Sequence, residues 1–449
     1  MPGLLRRLGT VEAFSLSLSL IAPTGAMSFA PILMAQSAGR ATPLAFLIGA
    51  FVAVLVGLSF VAFSRKVAHV GSVYAYVGLV LGPRWGFAAG WMLLLFYAVG
   101  SAASVALVGS FTATGLAHFG IEAPYLWLAI GLAAALLSIW LVWNDAKVAA
   151  RLLLVLEVVS VLAALVLSAV ILTQTHLSIV PFQPDPEHGW TGVGFGLAFA
   201  IIAFAGFEGA ATLGEETHNP KRAIPLAVIG TIVLCGLFFV LVSYAQILGY
   251  GLDNIDMLAK SDAPLDDLST RYIFGTFGAF MDFAAAISGT AGIAGALAAA
   301  ARILYALGQS GLGSGVAVLH PRHRTPTRAI LLLGSLNVIG LLTFGALMGP
   351  TDYAGAFFTV GILALLLVYM GVTTAQAIDA FRSRSPIWCG IGLLGTAMLL
   401  WPLWNSLYPI PDGAQAFLPY IVAIWLLVGV ALIRFRPRLK QPISYAAAE

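Results

Sequence analysis

Three carboxylates stand inside stretches of the chain that are otherwise apolar: Glu157, Glu208 and Asp282. A charged side chain at the centre of a lipid bilayer costs at least about 2.5–3.5 kcal/mol. Each of the three therefore needs a partner, a water-filled cavity or a bound proton. Ionisable residues that meet this need inside membranes often serve transport, so these positions are the first candidates for chemistry.

Glu208 is the strongest candidate, because glycines at 206 and 209 flank it in the middle of an apolar run. It could carry a coupled proton, or it could pair with an amine or guanidinium group. In the competing interpretation it stays protonated, hydrogen-bonds a neighbouring helix and only stabilises the chain locally. We favour a functional role.

Glu157 and Asp282 have different expected surroundings. Glu157 either lies near Ser160 on an inner exit path, where it could share in proton coupling, or pairs with a basic residue such as Arg151 or Arg302. The sequence favours neither of these two interpretations of Glu157. Asp282 is expected toward the outer end of its span, in a structural role that reaches Arg271.

The chain shows no spacing typical of a catalytic or metal centre. It lacks HExxH and CxxC patterns, and Cys235 and Cys389 lie inside apolar stretches where they are expected as small core residues. We therefore expect no catalytic residues, no metal and no cofactor. Lysine and arginine form short clusters and no long basic face, so no nucleic acid partner is expected either.

Two segments are expected to interrupt helices. The first break, Pro23-Thr24-Gly25-Ala26, combines a proline that removes an amide donor with a flexible glycine. The second break, Ala205-Gly206-Phe207-Glu208, ends in the carboxylate described above. Small residues can also simply allow close helix packing. Two breaks at corresponding places, however, favour an inverted repeat with a binding site between them.

The chemistry of such breaks favours one class of substrate. Free amides at half-helix N-termini attract an anionic group, and free carbonyls at half-helix C-termini attract a cation. A zwitterionic amino acid matches both kinds of helix end, whereas a sugar does not.

Composition requires a membrane around these segments. Of 449 residues, 60% are hydrophobic and 9% charged, whereas a soluble domain has roughly 25% charged residues. Arg6 and Arg7 precede an apolar run that is too long for a cleaved signal peptide, so this run is expected to be the first span. We predict an all-α polytopic membrane protein with twelve transmembrane helices and a short non-crossing helix at 70–81. The spans are 11–36, 42–63, 85–112, 123–142, 149–172, 191–214, 223–248, 273–304, 327–347, 353–375, 386–405 and 415–434.

The basic residues predict an orientation. With both termini in the cytoplasm, about 19 of the lysines and arginines fall on the inner side and about 3 on the outer side. The acidic loop from Asp253 to Asp267 then faces outward. We therefore predict a multi-pass protein of the cytoplasmic membrane.

Three motifs resemble the amino acid–polyamine–organocation superfamily of permeases. The segment from Phe204 to Pro225 is similar to the sixth-span signature, a G-F-E/D core followed by E-E-x-x-N-P-x-R-x-I-P. Gly71 to Tyr76 resembles the family's G-G-x-Y-x-Y element, and Ala301 to Gly308 resembles its A-R-x-L-Y-A-x-G element. The motifs occur in the family's order, and the resemblance covers nearly the whole chain.

The resemblance implies a LeuT-type fold with a five-plus-five inverted repeat: residues 11–172, residues 191–375, and two further helices at 386–434. It also implies amino acid or amine transport, driven by protons or by exchange. The backbone of Thr24, Gly25 and Ala26 would hold the substrate carboxylate, and Phe204 or Phe207 would act as an aromatic gate. The implied substrate-binding residues are Ala22, Thr24, Gly25, Ala26, Phe204, Ala205, Gly206, Phe207 and Glu208, with the carbonyls near Ala22, Phe204 and Ala205 taking the amino group.

The chain departs from the family pattern in two places. The first break lacks the usual G-x-G or G-S-G. The fifth span has no interior lysine, since the position that carries one in some members aligns near Ser160. Proton coupling is therefore assigned to Glu208 and Glu157.

We expect a secondary active transporter that moves amino acids by alternating access. The alternative is an amine or polyamine transporter in which Glu208 binds a second cationic group. A channel would need a continuous polar lining and a membrane-embedded enzyme a nucleophile–base pair or metal cluster, and neither pattern is present in the sequence.

Overall fold

The computed structural model describes residues 9–66, 73–144, 147–212, 217, 219–313, 315–323, 325–408 and 413–436. Predictions that concern Gly71, Ser72, Glu215 and Glu216 fall outside these residues, as does the side chain of Arg151. The described part is built of helices, without a β-strand. The helices are α1 Thr10–Ile21, α2 Pro23–Ala38, α3 Thr42–Ser64, α4 Val73–Leu81, α5 Pro83–Ala117, α6 Leu126–Trp143, α7 Lys147–Gln174, α8 Gly189–Phe204, α9 Gly209–Thr212, α10 Pro220–Tyr250, α11 Ile255–Ala259, α12 Pro264–Tyr272, α13 Gly275–Leu307, α14 Thr327–Gly340, α15 Ala346–Met348, α16 Pro350–Arg382, α17 Pro386–Leu407 and α18 Leu418–Phe435.

Eleven helical stretches of the described residues are long and apolar enough to cross a membrane. The first, Ala13–Ser64, has 52 residues and covers the predicted span 11–36 from residue 13 onward and the predicted span 42–63 entirely. A straight helix of that length would measure about 78 Å, far more than the roughly 30 Å of bilayer hydrocarbon. The chain instead breaks at Ala22 and turns at the 3₁₀ segment Gly39–Ala41. The polytopic all-helical class is confirmed; twelve crossings and the inverted repeat stay predictions.

The short helix α4 confirms, for the residues that are described, the predicted non-crossing segment at 70–81. It has nine residues and ends at Leu81, before Gly82 and the start of α5 at Pro83. At about 1.5 Å per residue it is roughly 14 Å long, too short to cross hydrocarbon.

Helix α5 lies at the centre of the bundle. It packs against α13, α16, α6 and α4. In its most apolar 18-residue stretch 83% of the residues are buried, against 17% in the corresponding stretch of the last span, Gln415–Phe435. Side chains of α5 are therefore placed to reach both breaks.

A proline inside α2 is compensated from another helix. Pro31 has no amide, so the carbonyl of Met27, four residues earlier, cannot receive its usual helical hydrogen bond. Gln246 of α10 donates its side-chain Nε2 to that carbonyl at 3.0 Å. The buried glutamine thus replaces the donor that the proline removed.

The last helix is attached to α5 by a pair of tryptophans. The indole of Trp91 donates to the carbonyl of Trp425 at 2.8 Å, and that of Trp425 donates to the carbonyl of Trp91 at 2.9 Å. Their rings stack at 4.3 Å. Trp91 therefore serves to pack α5 against α18.

Candidate functional site

The first break is narrower than predicted. Ala22 adopts a left-handed conformation with φ 48°, which ends α1 at Ile21, and α2 begins directly at Pro23. Proline is favourable at the first helical position, because its fixed φ suits the helix and its missing amide would have no partner there. Pro23 to Ala26 are therefore helical, and the interruption is confined to one residue.

The amides that the break exposes already have partners within the protein. Thr24 donates its amide to Oε1 of Glu157 at 3.0 Å, and Gly25 donates to the hydroxyl of Ser288 at 3.0 Å. The amide of Ala26 donates to the carbonyl of Ala22 at 2.9 Å. In this conformation the backbone predicted to hold a substrate carboxylate holds Glu157 and Ser288 instead.

Glu157 is thereby placed at the N-terminus of α2. It is 1% exposed, and a carboxylate is stabilised at such a helix end by the amides and the helix dipole. Its second oxygen, Oε2, has no hydrogen-bond partner among the described residues. The structure shows no ion pair between Glu157 and Arg302, so within the described part Glu157 belongs to the first break.

The second break lies at the predicted residues. Helix α8 ends at Phe204, Ala205 is extended, and Gly206 has φ +121°. A Cβ on Gly206 would lie 2.8 Å from the amide nitrogen of Ile21, so glycine is needed both for the conformation and for the close approach of α1. The two breaks therefore touch each other.

A serine of α1 completes the hydrogen bonding of the second break. Ser17 donates to the carbonyl of Phe207 at 2.9 Å and accepts from the amide of Ala210 at 3.0 Å. Both backbone groups lie where the helix is interrupted, and an unpaired group there would be costly in a membrane.

Glu208 is buried and held at both oxygens. Tyr97 of α5 donates to Oε1 at 2.7 Å, and Tyr369 of α16 donates to Oε2 at 3.0 Å. The amide of Gly206 also donates to Oε2 at 3.0 Å. An amide can only donate, and these three donors form the set that an ionised carboxylate accepts. A proton on Glu208 would give the carboxyl group an O–H donor and reduce its capacity to accept from the two tyrosines.

A cavity of about 120 Å³ lies beside the two breaks. Its lining is apolar except for the side chains of Tyr97 and Ser104. The lining residues come from α1, α2, α5, α8, α13 and α16 and the two breaks: Leu20, Ile21, Ala22, Gly25, Ala26, Phe29, Ala30, Leu33, Phe96, Tyr97, Gly100, Ser104, Leu107, Phe111, Phe199, Ile202, Ala203, Ala205, Ala285, Gly289, Gly292, Ala296 and Phe358.

The predicted substrate-binding residues divide into two groups. Ala22, Gly25, Ala26 and Ala205 line the cavity. The remaining five do not: Thr24, Phe204, Gly206, Phe207 and Glu208.

Both predicted gate aromatics are fully buried against other rings. Phe204 packs on Phe239 at 5.1 Å, and Phe207 packs on Phe60 and Tyr369 at 5.6 Å each. The carbonyl oxygens of Phe204 and Ala205 receive no hydrogen bond from the described residues. The carbonyl of Ala22, the third one predicted to take the substrate amino group, accepts from the amide of Ala26 at 2.9 Å. The role of the other two stays a prediction.

Sequence reasoning missed three residues of this arrangement: Tyr97, Ser288 and Tyr369. Tyr97 is the most informative, because it lines the cavity and also binds Glu208. The available signal was a polar hydroxyl within an apolar span. Since α5 is apolar on all sides, the sequence did not show which way that hydroxyl points.

The prediction for Asp282 was wrong in its partner. Arg271 donates to the carbonyl of Gly249 at 3.1 Å and does not reach Asp282. The Asp282 carboxylate lies instead beside Asp266, which His118 contacts at 2.9 Å. His118 is 148 positions from Asp266 in the sequence, so their proximity follows from the packing of α5, α12 and α13.

Comparison with known proteins supports the class of protein that the sequence predicts. The amino acid permease family model matches residues 13–407. The branched-chain amino acid permease BcaP of Lactococcus lactis is 24% identical over 95% of this chain and 93% of its own length. Human cationic amino acid transporter 4 is 27% identical over 85% of this chain and 61% of its own length. A methylthioribose transporter of Bacillus subtilis is 24% identical over 94% of this chain and 91% of its own length.

The match extends over most of the chain and includes both breaks and the cavity. These features occur in a bundle with many helices able to cross a membrane. The chain belongs to the amino acid permease family and is a membrane transporter of amino acids.

Proposed function

We propose that the protein moves a neutral amino acid with an apolar side chain across the cell membrane, in symport with a proton that Glu208 carries. Both termini lie in the cytoplasm in this proposal, as the distribution of lysine and arginine predicts. The observation that carries it is the position of Tyr97, which lines the cavity and donates to Glu208.

The cavity lining supports an apolar substrate. Aromatic and aliphatic side chains surround the space, and none of the described residues that line it is charged. A cationic amine would have to bury its second charge there without a counter-ion, which is costly. The relative from Lactococcus lactis, whose name specifies branched-chain amino acids, is consistent with this choice.

The zwitterionic part of the substrate would lie at the two breaks. The open carbonyls of Phe204 and Ala205 would accept from its ammonium group. Its carboxylate would take the amides of Thr24 and Gly25, which first requires Glu157 and Ser288 to release them. A proton on Glu157 would weaken its hold on Thr24, so substrate binding and protonation of Glu157 favour each other.

Glu208 would sense the cavity through Tyr97. When substrate shifts the Tyr97 ring, Oε1 of Glu208 loses a donor, and a buried carboxylate that loses a donor binds a proton more readily. Substrate and proton would then occupy the protein together, which is the requirement for symport.

The substrate is tested by uptake into proteoliposomes that contain the purified protein. We expect leucine, isoleucine and valine to accumulate under an inwardly directed proton gradient, and lysine and putrescine to fail both as substrates and as competitors. Preferential uptake of lysine or putrescine would instead support the amine transporter. Uptake that requires unlabelled amino acid inside the proteoliposomes, and that proceeds without a proton gradient, would support exchange.

A further inference from the structure

A second cluster of ionisable side chains lies away from the cavity, where α5, α12 and α13 meet. One nitrogen of His118 and one carboxylate oxygen from each of Asp266 and Asp282 lie within 4.8 Å of one another. His118 follows the last residue of α5, Asp266 lies in the first turn of α12, and Asp282 lies in α13. We propose that these three residues bind a zinc ion.

Among the described residues, no lysine or arginine forms an ion pair with the two carboxylates of the cluster. Asp282 is 3% exposed and Asp266 9%. Arg271, in the same helix as Asp266, donates to the carbonyl of Gly249, and Asp267 adds a further negative charge. His118 can supply at most one positive charge. Buried charges require compensation, which a divalent cation provides.

One of the potential ligand atoms has no hydrogen-bond partner among the described residues. Oδ2 of Asp282 is inaccessible to solvent and makes no hydrogen bond within the described residues. Asp266, in contrast, is positioned by His118 at 2.9 Å and by the hydroxyl of Thr270 at 3.2 Å. An oriented pair beside an unsatisfied buried oxygen is an arrangement expected of a cation-binding site.

Two glycines make room for the cluster. A Cβ on Gly278 of α13 would lie 1.8 Å from Oδ1 of Asp266, and a Cβ on Gly115 of α5 would lie 3.2 Å from Cβ of Asp282. Any larger residue at 278 would displace the Asp266 carboxylate. The absence of side chains at these two positions therefore leaves space for the carboxylates of Asp266 and Asp282.

The donor set fits zinc. Zinc binds imidazole nitrogen and carboxylate oxygen at about 2.0–2.2 Å, so its ligand atoms lie about 3.3 Å apart, within the span of this cluster. Three protein ligands leave a fourth position for water, and the side chain of His118 is about 24% exposed, which gives the ion a route of entry. The cluster lies at the end that the charge distribution predicts to face outward.

Zinc here would join helices that also line the cavity. Residues of α5 and α13 form part of the cavity wall, and the ion would fix their ends to each other and to α12. Bound zinc is therefore expected to restrict relative movement of α5 and α13 and to lower the transport rate.

The test measures zinc binding directly and does not depend on transport. Protein purified with a histidine-free tag is titrated with Zn²⁺ by calorimetry, together with H118A and D282N, and with H188A as the matched control. His188 also contacts an aspartate, Asp185, at 3.3 Å, but that pair has no third ligand among the described residues.

We expect one zinc per chain in the wild type and in H188A, and an affinity at least tenfold lower in H118A and D282N. Absence of saturable binding at one equivalent, or wild-type affinity in H118A, would overturn the proposal and leave the two carboxylates sharing a proton. Should D282N fail to fold, Co²⁺ added to the wild type serves as the second measurement. Absorption bands of four-coordinate Co²⁺ that Zn²⁺ abolishes support the site, and the spectrum of aqueous Co²⁺ alone overturns it.

Discussion

Glu208 and Glu157 are both buried beside a helix break, but their hydrogen bonds differ. Both oxygens of Glu208 accept, from Tyr97, Tyr369 and the amide of Gly206. Glu157 uses Oε1 for the amide of Thr24, while Oε2 has no partner among the described residues. Release of Glu208 therefore requires the loss of a donor such as Tyr97, whereas release of Glu157 requires only the loss of the Thr24 amide.

Removing the Tyr97 hydroxyl should destabilise the protein. In Tyr97→Phe a buried carboxylate oxygen loses its donor, and a hydrogen bond to a charged group contributes about 1.5–3 kcal/mol. Tyr353→Phe is the matched control, because Tyr353 is equally buried and its hydroxyl has no partner within the described residues. We expect a clearly lower free energy of unfolding for Tyr97→Phe and little change for the control. Equal effects would show that the Tyr97–Glu208 hydrogen bond contributes nothing.

Glu157 should control how substrate affinity depends on pH. Protonation removes the charge that holds the Thr24 amide, so the apparent KM for leucine is expected to fall as pH falls. In Glu157→Gln that charge is absent at every pH, and the KM should be nearly constant. Glu187→Gln, in the segment between α7 and α8, is the control and should follow the wild type. A Glu157→Gln profile that keeps the wild-type slope would exclude this role.

At the scale of helices, interruptions are stabilised by side chains from elsewhere in the chain. Ser17 completes the second break, Glu157 and Ser288 the first, and Gln246 the gap at Pro31. In a membrane no water is available to satisfy such backbone groups, so the partners must come from the protein.

The pairing of Gln246 with Pro31 can be measured by a double-mutant cycle. Gln246→Leu leaves the carbonyl of Met27 without a donor and should cost about 1–3 kcal/mol of unfolding free energy. Pro31→Ala restores an amide that can bond this carbonyl, so Gln246→Leu should cost less in that background. Additive effects of the two substitutions would mean that the glutamine does not compensate for the proline.

Attachment of α18 to α5 depends on the absence of a side chain at Gly429. A Cβ there would lie 2.6 Å from Cδ1 of Trp91, so Gly429→Ala should force apart the stacked pair Trp91–Trp425 and lower thermal stability. Gly390→Ala in α17 is the control, because a Cβ at that position meets nothing within 4 Å. There the substitution should be neutral or slightly stabilising. A Gly429→Ala protein with the thermal stability of the wild type would show that α18 and α5 tolerate a larger separation.

At the scale of the whole molecule, the sequence predicted what depends on local composition. The apolar spans follow from hydropathy, and the second break follows from Gly206 and Gly209 beside Glu208. The pairing of Thr24 with Glu157 joins residues 133 positions apart, and that of Tyr97 with Glu208 spans 111 positions. Such contacts depend on how helices that are apolar on all sides rotate against each other, and single-sequence patterns do not show that rotation.

The molecule as a whole supports a coupled mechanism. The two breaks touch, the cavity lies beside both, and Tyr97 connects the cavity with Glu208. In the proposed mechanism, a substrate in the cavity would therefore lie next to the tyrosine that binds the ionisable group. The interpretation requires that proton movement stop when Glu208 can no longer take up a proton, although substrate can still bind.

The most direct test of this account measures proton and leucine fluxes together in proteoliposomes that contain the wild type or Glu208→Gln. For the wild type we predict that leucine addition alkalinises the outer medium and that an inward proton gradient drives accumulation above the equilibrium level. For Glu208→Gln we predict binding of leucine and equilibration without accumulation, and no proton flux. Accumulation by Glu208→Gln with the wild-type pH dependence would contradict the assignment of the coupled proton to Glu208.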